Sequence, residues 1–215
     1  MRHSAKAQFG IKKLLVGACL LTIALGLYGC SPSYMRRLLV TIEVNDNGTI
    51  LTGSSVQKVG CRAANPTYGG LDVDGCYIEG DAAYVHLKNG QYLILTYVTD
   101  EYRADPRGYA DSILDRHDLT SDFSWDVPED EIPQMVTFKN SLDPDSVVRV
   151  YPADAEQTLG SGVKIGKIHV ALTDLPVNEG NISKVFPWIK DFVHLSKNLG
   201  ENGAYIDNNS FTSKR

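Results

Sequence analysis

The chain has 215 residues, with 21 Lys and Arg against 26 Asp and Glu, a formal net charge of −5, and 43% hydrophobic residues. This apolar content excludes disorder throughout, and the length suits one domain. Four of the 21 bases (Arg2, Lys6, Lys12, Lys13) precede Cys30 with no acid among them, so the remainder carries 17 bases against 26 acids, a net charge of −9 that excludes nucleic acid and anionic headgroups as main partners.

Residues 1–29 read as a lipoprotein-type signal peptide. Bases ending at Lys12-Lys13 precede an apolar run from Leu14 to Tyr28. As a helix the run would span about 22 Å at ~1.5 Å per residue, short of a bilayer core of ~30 Å. It ends in Leu27-Tyr28-Gly29-Cys30, which resembles the bacterial lipobox: aliphatic at −3, small at −1, then the lipid-bearing Cys. Tyr28 departs from that pattern, since a small residue is usual there. By the same resemblance Cys30 is the lipidation site, and Ser31 after it implies sorting to an outer membrane where one exists. The alternative is an uncleaved N-terminal anchor with Cys30 incidental. Both place the body outside the cytoplasm.

Residues 30–35 form a short tether. From Arg37 to Val44 the chain alternates, with Leu38, Val40, Ile42 and Val44 on one side, which predicts a half-buried strand. Asn47-Gly48 predicts a hairpin turn, and Thr49 to Val59 the return strand, with Gly53 read as a bulge. Cys61 and Cys76 are the even pair left in an oxidising compartment, and a disulfide between them is expected. Closing that loop of about 15 residues is worth roughly 3 kcal/mol in the chain-entropy model. A metal site built on the two Cys is the weaker alternative, with no His nearby. Ala82 to Leu87 and Gln91 to Val98 flank a second Asn-Gly turn at Asn89-Gly90, giving two hairpins of one antiparallel sheet.

Beyond it the pattern predicts a short helix over Tyr109 to Arg116, an acidic irregular loop over Asp122 to Pro133, and a short strand over Met135 to Phe138. Further elements are a strand over Val147 to Tyr151, one helical turn at Pro152 to Glu156, and an alternating strand over Val163 to Thr173. A helix is expected to start at Pro187, since Pro is accepted at the first helical position. Residues 36–195 are thus expected to form a single α+β (mainly β) domain, an antiparallel sheet built from hairpins with one or two short packed helices, followed by a mobile polar tail over 196–215.

Three segments stand out together: Arg37 to Val44 with Thr52-Gly53-Ser54-Ser55-Val56, Gly80 to Leu87, and Pro176-Val177 to Pro187-Trp188. They resemble a family of uncharacterised proteobacterial envelope proteins over most of residues 36 to 190. The family has no assigned activity, so the resemblance implies no catalytic residues.

The chemistry-bearing groups are sparse. Ser55-Val56-Gln57-Lys58 spells Ser-x-x-Lys, but on a strand residues three apart point to opposite faces, and the Lys-Thr-Gly partner is missing. No Gly-x-Ser-x-Gly occurs. His86, His117, His169 and His194 are read as structural, although a triad is set by space rather than spacing. Asp115, His117 and Asp118 are weak metal candidates against the reading of a solvated helix end. Asp122, Asp126, Glu129, Asp130 and Glu131, and separately Asp72 to Gly75, fall short of a full calcium-loop pattern. Phe186, Trp188 and Phe192 are read as a stripe sealing a sheet rather than an exposed partner surface.

No cofactor is implied. The residues favour a lipid-anchored, non-enzymatic binding or structural module of the cell envelope, attached to the membrane through its N-terminal lipid and meeting an envelope protein partner. The alternatives are an envelope hydrolase with an unrecognised site, for which a His, a carboxylate and a hydroxyl within hydrogen-bond reach in a cleft would speak, and a periplasmic ligand- or cation-binding module.

Overall fold

The computed structural model describes residues 34–62, 75–99, 119, 122–191, 197–198, 205–206 and 210–213. The chain divides into two compact units, residues 1–33 with 62–74, and residues 34–61 with 75–215. Apart from Arg62 the first unit lies outside the described residues, and so does the helix expected over Tyr109 to Arg116.

The alternating segment at the start of the second unit is β1 (Tyr34–Asp46), and the Asn47-Gly48 turn returns it as β2 (Thr49–Arg62). Both turn residues have positive φ, 52° and 82°, the combination a two-residue hairpin needs. The register runs unbroken from Tyr34↔Cys61 to Asp46↔Thr49. Gly53 is therefore no bulge: a Cβ there would meet the Tyr84 carbonyl oxygen at 1.8 Å.

After β2 come β3 (Gly75–Asp81), β4 (Ala83–His86), β5 (Tyr92–Leu95), β6 (Ser124–Asp126), β7 (Met135–Phe138) and β8 (Val147–Val150). Helix α1 (Ala155–Leu159), β9 (Val163–Leu172), helix α2 (Ile182–Val185) and the short strands β10 (Lys197–Asn198), β11 (Tyr205–Ile206) and β12 (Thr212–Ser213) complete the order. The architecture is mainly antiparallel β with two short helices. Six strands run β12-β3-β2-β1-β9-β6, and four run β4-β5-β7-β8. The two Asn-Gly hairpins thus belong to different sheets, not one. The chain changes sheet between β3 and β4, where Gly80 takes a φ of 124° and Ala82 lies between the strands.

The core lies between the sheets. From one side come Leu38, Val40, Ile42 and Val44, all fully buried, and from the other Val85, Leu93, Leu95 and Met135. On β9 the alternation of the sequence would send Val163 and Ile165 to the face opposite Ile168 and Val170. Instead the pairing with β1 jumps from Ile42↔Ile168 to Val44↔Ile165. This bulge resets the phase, so all four apolar residues reach the same side. Gly166 permits it, because a Cβ there would come within 2.9 Å of the Glu43 carbonyl oxygen.

Strand β7, inside the four-stranded sheet, is buried on both faces. Its second face is sealed by aromatic rings. Phe186 meets Tyr92 and Phe138 with centroids 5.4 and 5.3 Å apart, and Trp188 meets Phe138 at 5.2 Å. The helix expected to start at Pro187 does not form as such. The apolar stretch is divided into the four residues of α2 and a 3-10 segment, Pro187–Asp191, because Pro187 has no amide hydrogen with which to continue α2.

The domain also extends past its expected limit at Leu195. Ile206, Ser210 and Phe211 are buried, β12 pairs with β3, and the Ala82 amide donates to the Phe211 carbonyl at 2.7 Å. These residues occupy the gap that opens where the chain changes sheet, so they form part of the core rather than a free polar tail.

Carboxylates tie the turns down. Asp46, only 3% exposed, accepts from the Lys88 amide (2.9 Å) and from Asn47 Nδ2 (3.0 Å), which hold its carboxyl below the usual range. Glu156 accepts from the Gly162 amide and the Ser161 hydroxyl with the same effect. A carboxylate with a lowered folded pKa contributes stability that is complete above its unfolded value, about 4, and lost as pH falls through the folded one. Melting temperature is therefore expected to be lower at pH 3 than at pH 6, and Asp46→Asn to flatten that slope. Equal acid sensitivity of the variant and the parent in thermal melts would show that Asp46 plays no part.

Candidate functional site

Sequence reading leaves Asp122 to Pro133 as an irregular loop, but residues Ser124–Asp126 form a strand at one end of the large sheet. Its register with β9 is Ser124↔Ala171, Trp125↔Val170, Asp126↔His169. Trp125 turns inward and packs against the core. Ser124 and Asp126 therefore stand on the outer face, the same face as His169.

Three groups meet there in a chain. His169 Nδ1 lies 2.5 Å from Asp126 Oδ1, and His169 Nε2 lies 3.2 Å from Ser124 Oγ. An imidazole that donates its Nδ1–H to the carboxylate leaves Nε2 bare, able to accept the Ser124 hydroxyl proton. The Asp126 carboxyl is held below its usual range, chiefly by the hydrogen bond with His169 and further by Lys167, whose Nζ is 4.0 Å away; desolvation opposes both. The trio is open to solvent: the side chains of Asp126 and His169 are 62% and 32% exposed.

The backbone adds one more group. Phe123 O accepts from the Leu172 amide, and the Val127 amide donates to Ile168 O. These bonds fix the parity of the ladder, so the amides of Ser124 and Asp126 point away from β9. Among the described residues no strand pairs on that side.

A second place gathers the three segments on which the family resemblance rests. A cavity of about 330 Å³ is lined by Ser54, Ser55, Asp81, Tyr84, Asn181 and Lys184 among others. Asp81, 1% exposed, forms its floor and accepts from the amides of Gly180, Asn181 and Ile182 at 3.1, 2.7 and 3.3 Å. Ser55 Oγ donates to the Asp81 carbonyl at 2.7 Å, and Asn178 Oδ1 accepts from the Val56 amide at 2.6 Å. Burial raises the Tyr84 hydroxyl pKa, with smaller contributions from Tyr92 and Asp81.

The other sequence candidates scatter. Ser55 is buried while Lys58 turns outward to Glu79 at 2.7 Å, so Ser-x-x-Lys brings nothing together. His86 stacks on Tyr92 with centroids 4.4 Å apart. Glu129–Glu131 is a 3-10 turn, and among the described residues no three His, Cys, Asp or Glu converge as a cation would require. Cys76 is half-buried against the core. Cys61 is the last residue but one of the neighbouring strand β2, and its side chain lies outside the described residues. So do Cys30, Asp115, His117, Asp118, Phe192 and His194. No protein-family model, curated protein or solved structure matches the chain.

Proposed function

We propose that this chain is a lipid-anchored cell-envelope protein whose β unit acts as a binding module. The observation that carries the reading is the leader itself: Lys12-Lys13, the apolar run Leu14 to Tyr28, and Cys30 after Leu27-Tyr28-Gly29. Acyl chains contribute about 0.8 kcal/mol per buried CH₂, and two or more give stable attachment. A disulfide between Cys61 and Cys76 belongs to the same reading, since it needs an oxidising compartment.

Recognition by the β unit is supported by the cavity over Asp81. Its floor is rigidly hydrogen-bonded, while exposed Ser54 and Lys184 offer a hydroxyl and a cation at the rim. Such groups suit a polar or acidic segment of an envelope partner.

In a host that processes lipoproteins, Cys30→Ser is expected to abolish incorporation of radiolabelled fatty acid and to release the protein from membranes. A non-reduced digest of the parent should join the Cys61 and Cys76 peptides. Unchanged acyl labelling of the variant would overturn the anchor. The binding role is tested by cross-linking the membrane-bound protein and comparing Lys184→Glu with the parent. A specific product that the variant loses supports the cavity as the contact, and a product the variant retains removes it.

A further inference from the structure

The geometry points to Ser124 as a surface nucleophile for aliphatic carboxylic esters, with His169 as its general base and Asp126 as the residue that positions the imidazole. A hydroxyl is a weak nucleophile until a base within hydrogen-bond reach takes its proton, and the base works best when a third group fixes its orientation and tautomer. Ser124 Oγ, His169 and Asp126 supply that relay at 3.2 and 2.5 Å.

Two rungs of the outer sheet face tell the substrate class. One rung runs Asp126, His169, Thr41 and Ser54 across β6, β9, β1 and β2, and is polar throughout. The next runs Ser124, Ala171, Leu39 and Val56. It starts at the nucleophile and continues as apolar side chains, of which Ala171 and Leu39 are half-exposed. Neighbouring strands lie about 4.8 Å apart, so an acyl chain of four to six carbons attached at Ser124 spans Ala171 and reaches Leu39. The reacting carbonyl then lies at the sheet edge, where the Ser124 amide faces away from β9. That amide is the donor available to the oxyanion.

In the reaction, Ser124 Oγ bonds to the ester carbonyl carbon while its proton passes to His169 Nε2. The bond to the leaving alkoxide breaks, and the imidazolium returns the proton to that oxygen, releasing an alcohol. Water then attacks the acyl-serine, with His169 again taking the proton and returning it to Ser124 Oγ. The products are a carboxylic acid and the free hydroxyl. An open sheet face leaves its charges in high dielectric, so turnover is expected to be slow and reaction with activated acyl or phosphonyl groups much easier to detect.

The test uses the full chain in detergent with an alkyl fluorophosphonate, which transfers its phosphonyl group to activated serines. The expected result is one adduct per chain, on the peptide containing Ser124. Ser124→Ala should lose it, His169→Ala should slow labelling at least tenfold, and Asp126→Asn should slow it to a lesser degree. Leu39→Ser should slow a butyl or hexyl phosphonate and leave a methyl one unchanged, which a purely structural role for Leu39 would not produce. Thermal melts of each variant confirm that the fold is retained. Absence of a Ser124 adduct in the folded parent, or labelling that His169→Ala leaves unaltered, would overturn the proposal. Because Ser124, His169 and Asp126 do not line the Asp81 cavity and the readout is a covalent adduct, the proposal stands or falls apart from the binding role.

Discussion

Replacing Gly53 with alanine is expected to lower stability by about 3 kcal/mol or more, at the upper end of overpacking effects. The new Cβ would lie 1.8 Å from the Tyr84 carbonyl oxygen and 2.5 Å from its carbon. Both atoms belong to the backbone of β4, so no rotamer change can make room. Ile42, the partner of Gly53 on β1, is fully buried in the same layer, which leaves β2 no freedom to move outward without opening the core. In a protein of this size each kcal/mol shifts the melting temperature by roughly 2–4 °C. A fall of at least about 6 °C is therefore the expected reading, with Gly53→Val failing to fold. A Gly53→Ala melt within 2 °C of the parent would show that the two sheets are less closely apposed at this point than the geometry states.

Asp81→Ala is expected to cost a comparable amount, about 4 kcal/mol. The carboxylate accepts three amides, of Gly180, Asn181 and Ile182, at a site where Asp81 itself is 1% exposed. Each amide left without a partner costs about 1–3 kcal/mol, and water entering the space left by the side chain recovers part of it. Helix α2 has only four residues, far too few to hold itself together, so its start depends on this acceptor. Loss of α2 would also release Phe186 from Tyr92 and Phe138. Asp81→Asn keeps the shape but directs an NH₂ group at one of the donors, and should lie close to Ala. Ser54→Ala, at an exposed rim position, should change stability by less than about 0.5 kcal/mol. Urea unfolding of the three variants separates these cases. An Asp81→Asn protein as stable as the parent would show that the amides find other partners.

How far the sequence carries can be judged from particular residues. Leu38, Val40, Ile42 and Val44 declare β1 because four apolar residues at period two leave no other reading, and Asn47-Gly48 and Asn89-Gly90 declare their turns because φ is positive at Asn47, Gly48 and Gly90. The bulge in β9 is not legible in the same way: the alternation from Val163 to Thr173 is clean, and only pairing against Glu43 shows that Gly166 breaks its phase. The division of the hairpins between two sheets is set at Gly80 to Ala82, a stretch without Pro or a turn signature. The Ser124–His169–Asp126 relay is hidden for a related reason. Three residues hold too little of a period to announce a strand, and the acids and prolines from Asp122 to Pro133 outweigh it. His169 lies 43 residues from Asp126, and the two meet only because the register places them opposite each other. A hydroxyl and a carboxylate two apart, with a histidine on a distant alternating segment, is the signal that was present, but it acquires meaning only once β6 is known to lie beside β9.

The placement of residues 210–213 has a consequence for the order of events during biogenesis. β12 completes the large sheet by pairing with β3, Ser213 opposite Gly80, and β1 at the centre of that sheet waits for β9, Leu38 opposite Leu172. Pairings across more than 130 residues form slowly, since the loop must close before any contact compensates. Until Phe211 reaches the gap between β3 and β4, the amide of Ala82 has no acceptor from that segment and the aromatic cluster stays open on one side. The large sheet of such a chain stays incomplete until residues 210–213 have been made.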